Sequence, residues 1–150
     1  MAGFYHWDIK LENILLTSDF KIKIIDFGFC TDERYSFHKT FGTANYNCWE
    51  YHLKEEVDHE NFDLWSCAVL LYTLVNGNYP FLTNNGIIIP GDRKYQALMK
   101  GNFNVFWSGN INFSDDLKDL LNKMWDLDST RRPSINQIIK HPWISKNVDN

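Results

Sequence analysis

His6-Trp7-Asp8-Ile9-Lys10-Leu11-Glu12-Asn13 and, further on, Asp26-Phe27-Gly28 are the two polar signatures around which the chain is arranged. Between them lie Asn13-Ile14-Leu15-Leu16-Thr17 and Lys21-Ile22-Lys23-Ile24-Ile25, two short apolar or alternating runs joined by Ser18-Asp19-Phe20. Short β-prone runs separated by turn-forming residues predict a β-hairpin. Its alternation places Lys21 and Lys23 toward water and Ile22 and Ile24 inward.

Outward from the hairpin, residues 26–50 form a polar stretch containing Gly and Thr, with no sustained period. Loops this long in a compact domain are usually functional or disordered. A helix is expected from Phe62-Asp63 to Asn76-Gly77, with the glycine as a left-handed cap. That helix is apolar on nearly every face, which predicts a central, surrounded position. Residues 78–93, with Pro80 and Pro90, read as irregular, and a short helix over Tyr95–Lys100 follows. Ser114-Asp115-Asp116 opens a clearer helix, since Ser caps and the aspartates favour the positive end of the dipole. Leu117, Leu120, Leu121, Met124 and Trp125 form its apolar stripe. A last helix, Ser134–Lys140, is stopped by His141-Pro142. The fold class is therefore α+β, mainly helical: a small hairpin and a long loop leading into a helical body.

Composition narrows the function. The chain has 150 residues, 44% hydrophobic and 16% aromatic, which suits one packed domain and excludes a disordered chain. A net charge of −4 without a basic stretch argues against nucleic acid as a partner. Cys30, Cys48 and Cys67 are widely spaced and odd in number, so reduced thiols in an intracellular, cytoplasmic setting are expected. No paired-histidine spacing signals a metal site. The start lacks a signal-peptide core, and the longest apolar run, Leu64–Val75, is too short to span a bilayer.

The spacing His6-x-Asp8-x-Lys10-x-x-Asn13, then Asp26-Phe27-Gly28, resembles the catalytic-loop and metal-binding signatures of the eukaryotic protein kinase family, serine/threonine type. Gly42-Thr43-x-x-Tyr46-x-x-x-Glu50 resembles the end of that family's activation segment, and Asp63-x-Trp65-Ser66 the start of its central helix. Arg132-Pro133-Ser134 and His141-Pro142-Trp143 resemble its late arginine and its usual ending. The resemblance spans the chain in order and implies a partial kinase domain over 1–150, with 26–50 as its activation segment. The flavour of Lys10-Leu11-Glu12-Asn13 and Asp26-Phe27-Gly28-Phe29 leans toward the calcium/calmodulin- and AMP-activated-like group.

What the resemblance implies is ATP-dependent phosphoryl transfer to a Ser/Thr hydroxyl of a protein substrate, with Mg²⁺. Its catalytic positions are Asp8, which accepts or orients the hydroxyl proton, Lys10 beside the transferring phosphoryl group, and Thr43, which binds both. Its cofactor-side positions are Lys10, Glu12, Asn13, Leu15 and Asp26, with Leu15 under the adenine and Asn13 and Asp26 as the hard oxygen ligands of Mg²⁺. The hairpin is what would let Asn13 and Asp26 converge. Glu12 is also placed to contact a basic residue of a peptide. Asp63 is expected to accept catalytic-loop main-chain bonds, Glu50 to pair with Arg132, and His6 to stack with Phe27.

The departures matter equally. Trp7 stands where the family usually has an arginine that pairs with a phosphorylated loop residue, so phosphorylation, with Thr40 as the nearest site, is not expected to be the switch. Cys48-Trp49 replaces a small residue and proline, and Ala68 a glycine. Five residues precede His6, where the family carries an N-terminal lobe with a glycine-rich loop. The expectation is a C-terminal lobe holding half an ATP site, inactive alone, that exposes apolar surface on its central helix and needs an N-lobe-bearing segment or docking partner. The alternative is a non-catalytic remnant serving as a protein-binding module.

Overall fold

In the computed structural model, the residues described are 3–37, 43–53, 56–84, 87–109 and 112–148. Thr40 and Gly42 therefore lie outside the described residues. A 3₁₀ turn at Leu11–Asn13 leads into β1 (Ile14–Leu16), which pairs antiparallel with β2 (Ile22–Ile24) in the register Ile14↔Ile24, Leu15↔Lys23, Leu16↔Ile22. The predicted hairpin is present. Its turn is organised by Thr17, whose hydroxyl accepts from the Lys21 main-chain N–H at 2.9 Å while Phe20 takes φ 60°.

The facing of that hairpin differs from expectation. Ile22 is 67% and Ile24 45% exposed, and Lys23 is exposed as well. Alternation sets which side chains share a face, but burial needs an element laid against it, and none of the described residues covers this one.

β3 (Tyr35–Phe37) pairs antiparallel with β4 (Glu56–Asp58), and α1 (Trp49–Leu53) precedes β4. Neither three-residue strand was anticipated. α2 (His59–Asn76) starts one turn earlier than the sequence suggests, because Asp58 caps it by accepting from the Asn61 N–H at 3.2 Å. It ends at Gly77, whose φ of 77° closes the helix as expected. Phe62, Trp65, Ala68, Val69 and Tyr72 are buried at the centre of the molecule. Cys67, Leu70 and Leu71 are half-buried and Leu74 is exposed, so the uncovered apolar surface is a stripe at helical spacing, not the whole helix.

The supposedly irregular 78–93 region contains β5 (Thr83–Asn84) paired with β6 (Ile87–Ile88). α3 (Arg93–Met99) and α4 (Phe103–Phe106) pack together. α5 (Asp115–Met124), capped by Ser114 as expected, lies against α2 through Leu117, Leu120, Leu121 and Met124. α6 (Ile135–Ile139) is followed by α7 (Pro142–Val148). Pro142 thus ends one helix and begins another, as its missing N–H permits at a first helical position. Trp65, Phe81, Phe106 and Trp125 form an aromatic centre, with ring centroids about 6 Å apart.

Candidate active site

The loop from His6 to Asn13 is anchored from below. Asp63, on α2, accepts from the main-chain N–H of His6 at 2.6 Å and of Trp7 at 2.9 Å. Burial pushes its carboxyl pKa up, partly offset by those two bonds. Both nitrogens of the His6 ring are engaged: Nε2 lies 3.1 Å from the Ile25 carbonyl oxygen, and Nδ1 accepts from the Asp8 N–H at 3.3 Å. The ring also packs on Phe27 at 5.2 Å, so both polar signatures meet at one imidazole.

Asp8 is 4% exposed and sits in a closed network. Lys10 Nζ lies 2.6 Å from its Oδ2. Thr43 donates to Oδ1 twice, from its main-chain N–H and its hydroxyl, each at 3.0 Å. Lys10 Nζ also donates to Thr43 Oγ1 at 2.9 Å. Asn13 Nδ2 donates to the Asp8 carbonyl at 2.8 Å and to its carboxylate at 3.2 Å. Burial alone would raise the Asp8 pKa, but the bonds from Lys10, Thr43 and Asn13 outweigh it and the pKa is lowered. A buried carboxylate kept ionised at neutral pH is an acceptor-only group, ready to take or orient a proton.

Asn13, also buried, spends its amide nitrogen on Asp8, and its Oδ1 takes no hydrogen bond among the described residues. Its carbonyl accepts from the Ile25 N–H at 3.0 Å, closing the hairpin and setting Asp26 directly beyond. Asp26 is exposed, adopts φ 62°, and takes a long bond from the Gly28 N–H at 3.4 Å. A Cβ on residue 28 would come within 3.2 Å of its Oδ1, so the glycine leaves that carboxylate room. An amide oxygen and a carboxylate are hard oxygen donors of the kind that could hold Mg²⁺, and the hairpin brings Asn13 and Asp26 to its base. Glu12 and Leu15 are both exposed, the first beside the network and the second on the hairpin.

The expected scaffold is also in place. Arg132 Nη2 pairs with Glu50 Oε1, both residues buried, and Arg132 Nε donates to the Asp126 carbonyl at 3.0 Å. Its guanidinium lies 5.0 Å over the Trp65 ring. Trp49, unusual for its position, donates Nε1–H to the Leu127 carbonyl at 3.0 Å, so the Cys48-Trp49 departure still seats this segment on the helical body. Two supporting bonds escaped sequence reasoning: the one that the Tyr46 hydroxyl accepts from the Leu11 N–H at 3.3 Å, and the Ser36–His59 hydrogen bond at 2.9 Å. The motif named Tyr46 without saying what its hydroxyl holds, and nothing hinted at the second. The three cysteines are free thiols, and Cys67 is pushed up to about 12 by burial.

Comparison with known proteins agrees with this geometry. The protein kinase domain family matches residues 1–144. The chain is 33% identical over 146 residues to the probable serine/threonine-protein kinase MARK-B of Dictyostelium discoideum, covering 96% of this chain and 20% of that protein. It is 36% identical over 152 residues to CBL-interacting protein kinase 26 of Oryza sativa subsp. japonica, covering 98% and 29%. Serine/threonine-protein kinase par-4 of Caenorhabditis briggsae is 35% identical over 147 residues, covering 92% and 21%. The chain belongs to the protein kinase family. It spans between 16% and 32% of the length of such curated relatives. Among the described residues, no helix is long and apolar enough to cross a membrane.

Proposed function

We propose that this site transfers the terminal phosphoryl group of ATP to a serine or threonine hydroxyl of a protein substrate. The observation that carries the reading is the closed Asp8–Lys10–Thr43–Asn13 network, with Asp26 set just beyond the hairpin that Asn13 opens. In this reading Asp8 accepts the proton of the attacking hydroxyl. Lys10 turns its ammonium toward the transferring phosphoryl group, and Thr43 holds both. Asn13 Oδ1 and Asp26 hold Mg²⁺, which when bound neutralises charge on the phosphates. Leu15 lies against the adenine, and Glu12 faces the incoming peptide.

Residues 1–150 form part of a kinase domain, the C-terminal lobe, with 26–50 as its activation segment. The remaining nucleotide contacts come from an N-lobe-bearing segment seated over the hairpin. A second reading, a non-catalytic module that binds a protein partner, draws on the same uncovered apolar residues, Leu16, Phe20 and Ile22.

Phosphoryl transfer by the full-length protein decides between them. Asp8→Asn is expected to lower kcat by about 10²–10⁴-fold while Mg²⁺-ATP binding persists. Absence of Mg²⁺-ATP binding, or a rate indifferent to Asp8→Asn, would favour the binding module.

A further inference from the structure

Trp7 lies between His6 and Asp8 at φ 64°, in the left-handed region that a bulky side chain rarely adopts. The surroundings over-determine that conformation. The residue is 2% exposed, and its indole stacks on Phe62 with centroids 5.0 Å apart and planes 11° from parallel. It also meets the His59 ring edge-on at 4.2 Å. His59 and Phe62 both belong to the first turn of α2, beside Asp63, which holds the loop's main chain.

His59 faces a second segment as well. Its Nε2 is 2.9 Å from Ser36 Oγ, and its main-chain N–H donates to the Arg34 carbonyl at 2.8 Å. That bond extends the β3–β4 ladder, in which Tyr35, Ser36 and Phe37 oppose Asp58, Val57 and Glu56. One imidazole therefore touches the strand at 35–37 on one side and the indole beside Asp8 on the other. Tyr5 adds a further edge contact to His59 at 5.8 Å.

We infer that Trp7 is a positioning residue that couples residues 34–37 to the loop bearing Asp8, acting through Phe62 and His59. This rests on Asp8 being the phosphoryl-transfer base proposed above. The coupling is made by aromatic packing and one side-chain hydrogen bond to Ser36. When residues 34–37 leave β4, His59 loses Ser36 and its ring can turn. The indole then loses its edge contact, and Trp7 is no longer confined to the left-handed conformation. The main-chain N–H groups of His6 and Trp7 slip from Asp63, and Asp8 moves with them.

Amide hydrogen exchange on the full-length protein tests this. Ser36 is only half-buried, so Ser36→Ala is expected to fold with an unchanged melting temperature. In that variant, exchange at the His6 and Trp7 amides is expected to rise about tenfold, because local opening at 35–37 now reaches the catalytic loop. Exchange at His6 and Trp7 staying within about twofold of wild type overturns the inference, whatever happens at 35–37. A second measurement runs the other way. Trp7→Leu removes the ring and is expected to speed tryptic cleavage after Arg34, with Trp7→Phe restoring protection; equal resistance of Trp7→Leu and wild type overturns the coupling. If Trp7→Leu fails to fold, the Ser36→Ala exchange decides alone. Neither readout involves phosphoryl transfer, so its failure is distinct from a failure of the Asp8→Asn experiment.

Discussion

Asp8 is 4% exposed and bonded by Lys10, Asn13 and Thr43; Ile22, fourteen residues further on, is 67% exposed with no element among the described residues laid against it. The His6–Asn13 loop and the hairpin adjoin in sequence and are held by opposite means. The loop has little regular structure of its own and takes its shape from distant partners, Asp63 below and Thr43 beside it. The hairpin has regular pairing and a well-bonded turn, and gets little from the core. Order in this chain therefore does not follow secondary structure. It follows how many buried polar groups would be orphaned by moving a segment.

Breaking the buried side of the comparison should cost most. Arg132→Ala leaves Glu50 as an uncompensated buried charge and empties the space over Trp65. Denaturant unfolding is expected to show a loss of about 3–5 kcal/mol. Asp63→Asn comes next. An amide has one acceptor oxygen where the carboxylate offers two, so either the His6 or the Trp7 N–H would face an NH₂ group. A buried donor left without an acceptor costs about 1–3 kcal/mol, to be read in the same unfolding experiment.

The grouping of polar residues in this region was legible through spacing. Asp8, Lys10 and Asn13 share one loop, and the alternation of residues 21–25 announced a hairpin that returns to Asn13. The Glu50–Arg132 pair, 82 residues apart, could be anticipated only by resemblance, because no local pattern encodes a contact across the fold. β3 and β4 escaped notice because three residues, Tyr35-Ser36-Phe37 or Glu56-Val57-Asp58, are too few to show a period. His59 and Ser36 went unnoticed with them. The inward facing of Ile22 and Ile24 was misread for a different reason: a strand's own sequence says which residues share a face and is silent on what covers it.

The pH dependence of stability sharpens the contrast within the loop itself. Asp8 is lowered in the fold, so its contribution is present above its ordinary pKa of 3.8 and is lost as pH falls through the folded value. Asp63 is raised by burial, so the folded state holds its proton more readily, and this group's contribution weakens as pH rises from 3.8 through its folded value. Two neighbouring carboxylates thus carry opposite slopes. The destabilisation caused by Asp8→Asn should shrink as pH falls below its ordinary pKa of 3.8, while that caused by Asp63→Asn should grow as pH is lowered through its raised folded value toward 3.8. Equal slopes for both variants in pH-resolved urea unfolding would show that the two environments are not distinct.

The smallest effect is expected on the hairpin, and its smallness is the informative part. Fully burying an isoleucine side chain is worth about 1.5–3 kcal/mol, and Ile22 is only one-third buried. Ile22→Thr keeps the β-branch that suits a strand and places a hydroxyl where water already reaches. Unfolding free energy should therefore change by no more than about 1 kcal/mol. A loss above about 1.5 kcal/mol would mean that this face is packed in solution, and the opposition between loop and hairpin would collapse. If the hairpin is instead covered by the segment proposed to complete the nucleotide site, the same substitution should be near-neutral in this chain alone and costly once that segment is present.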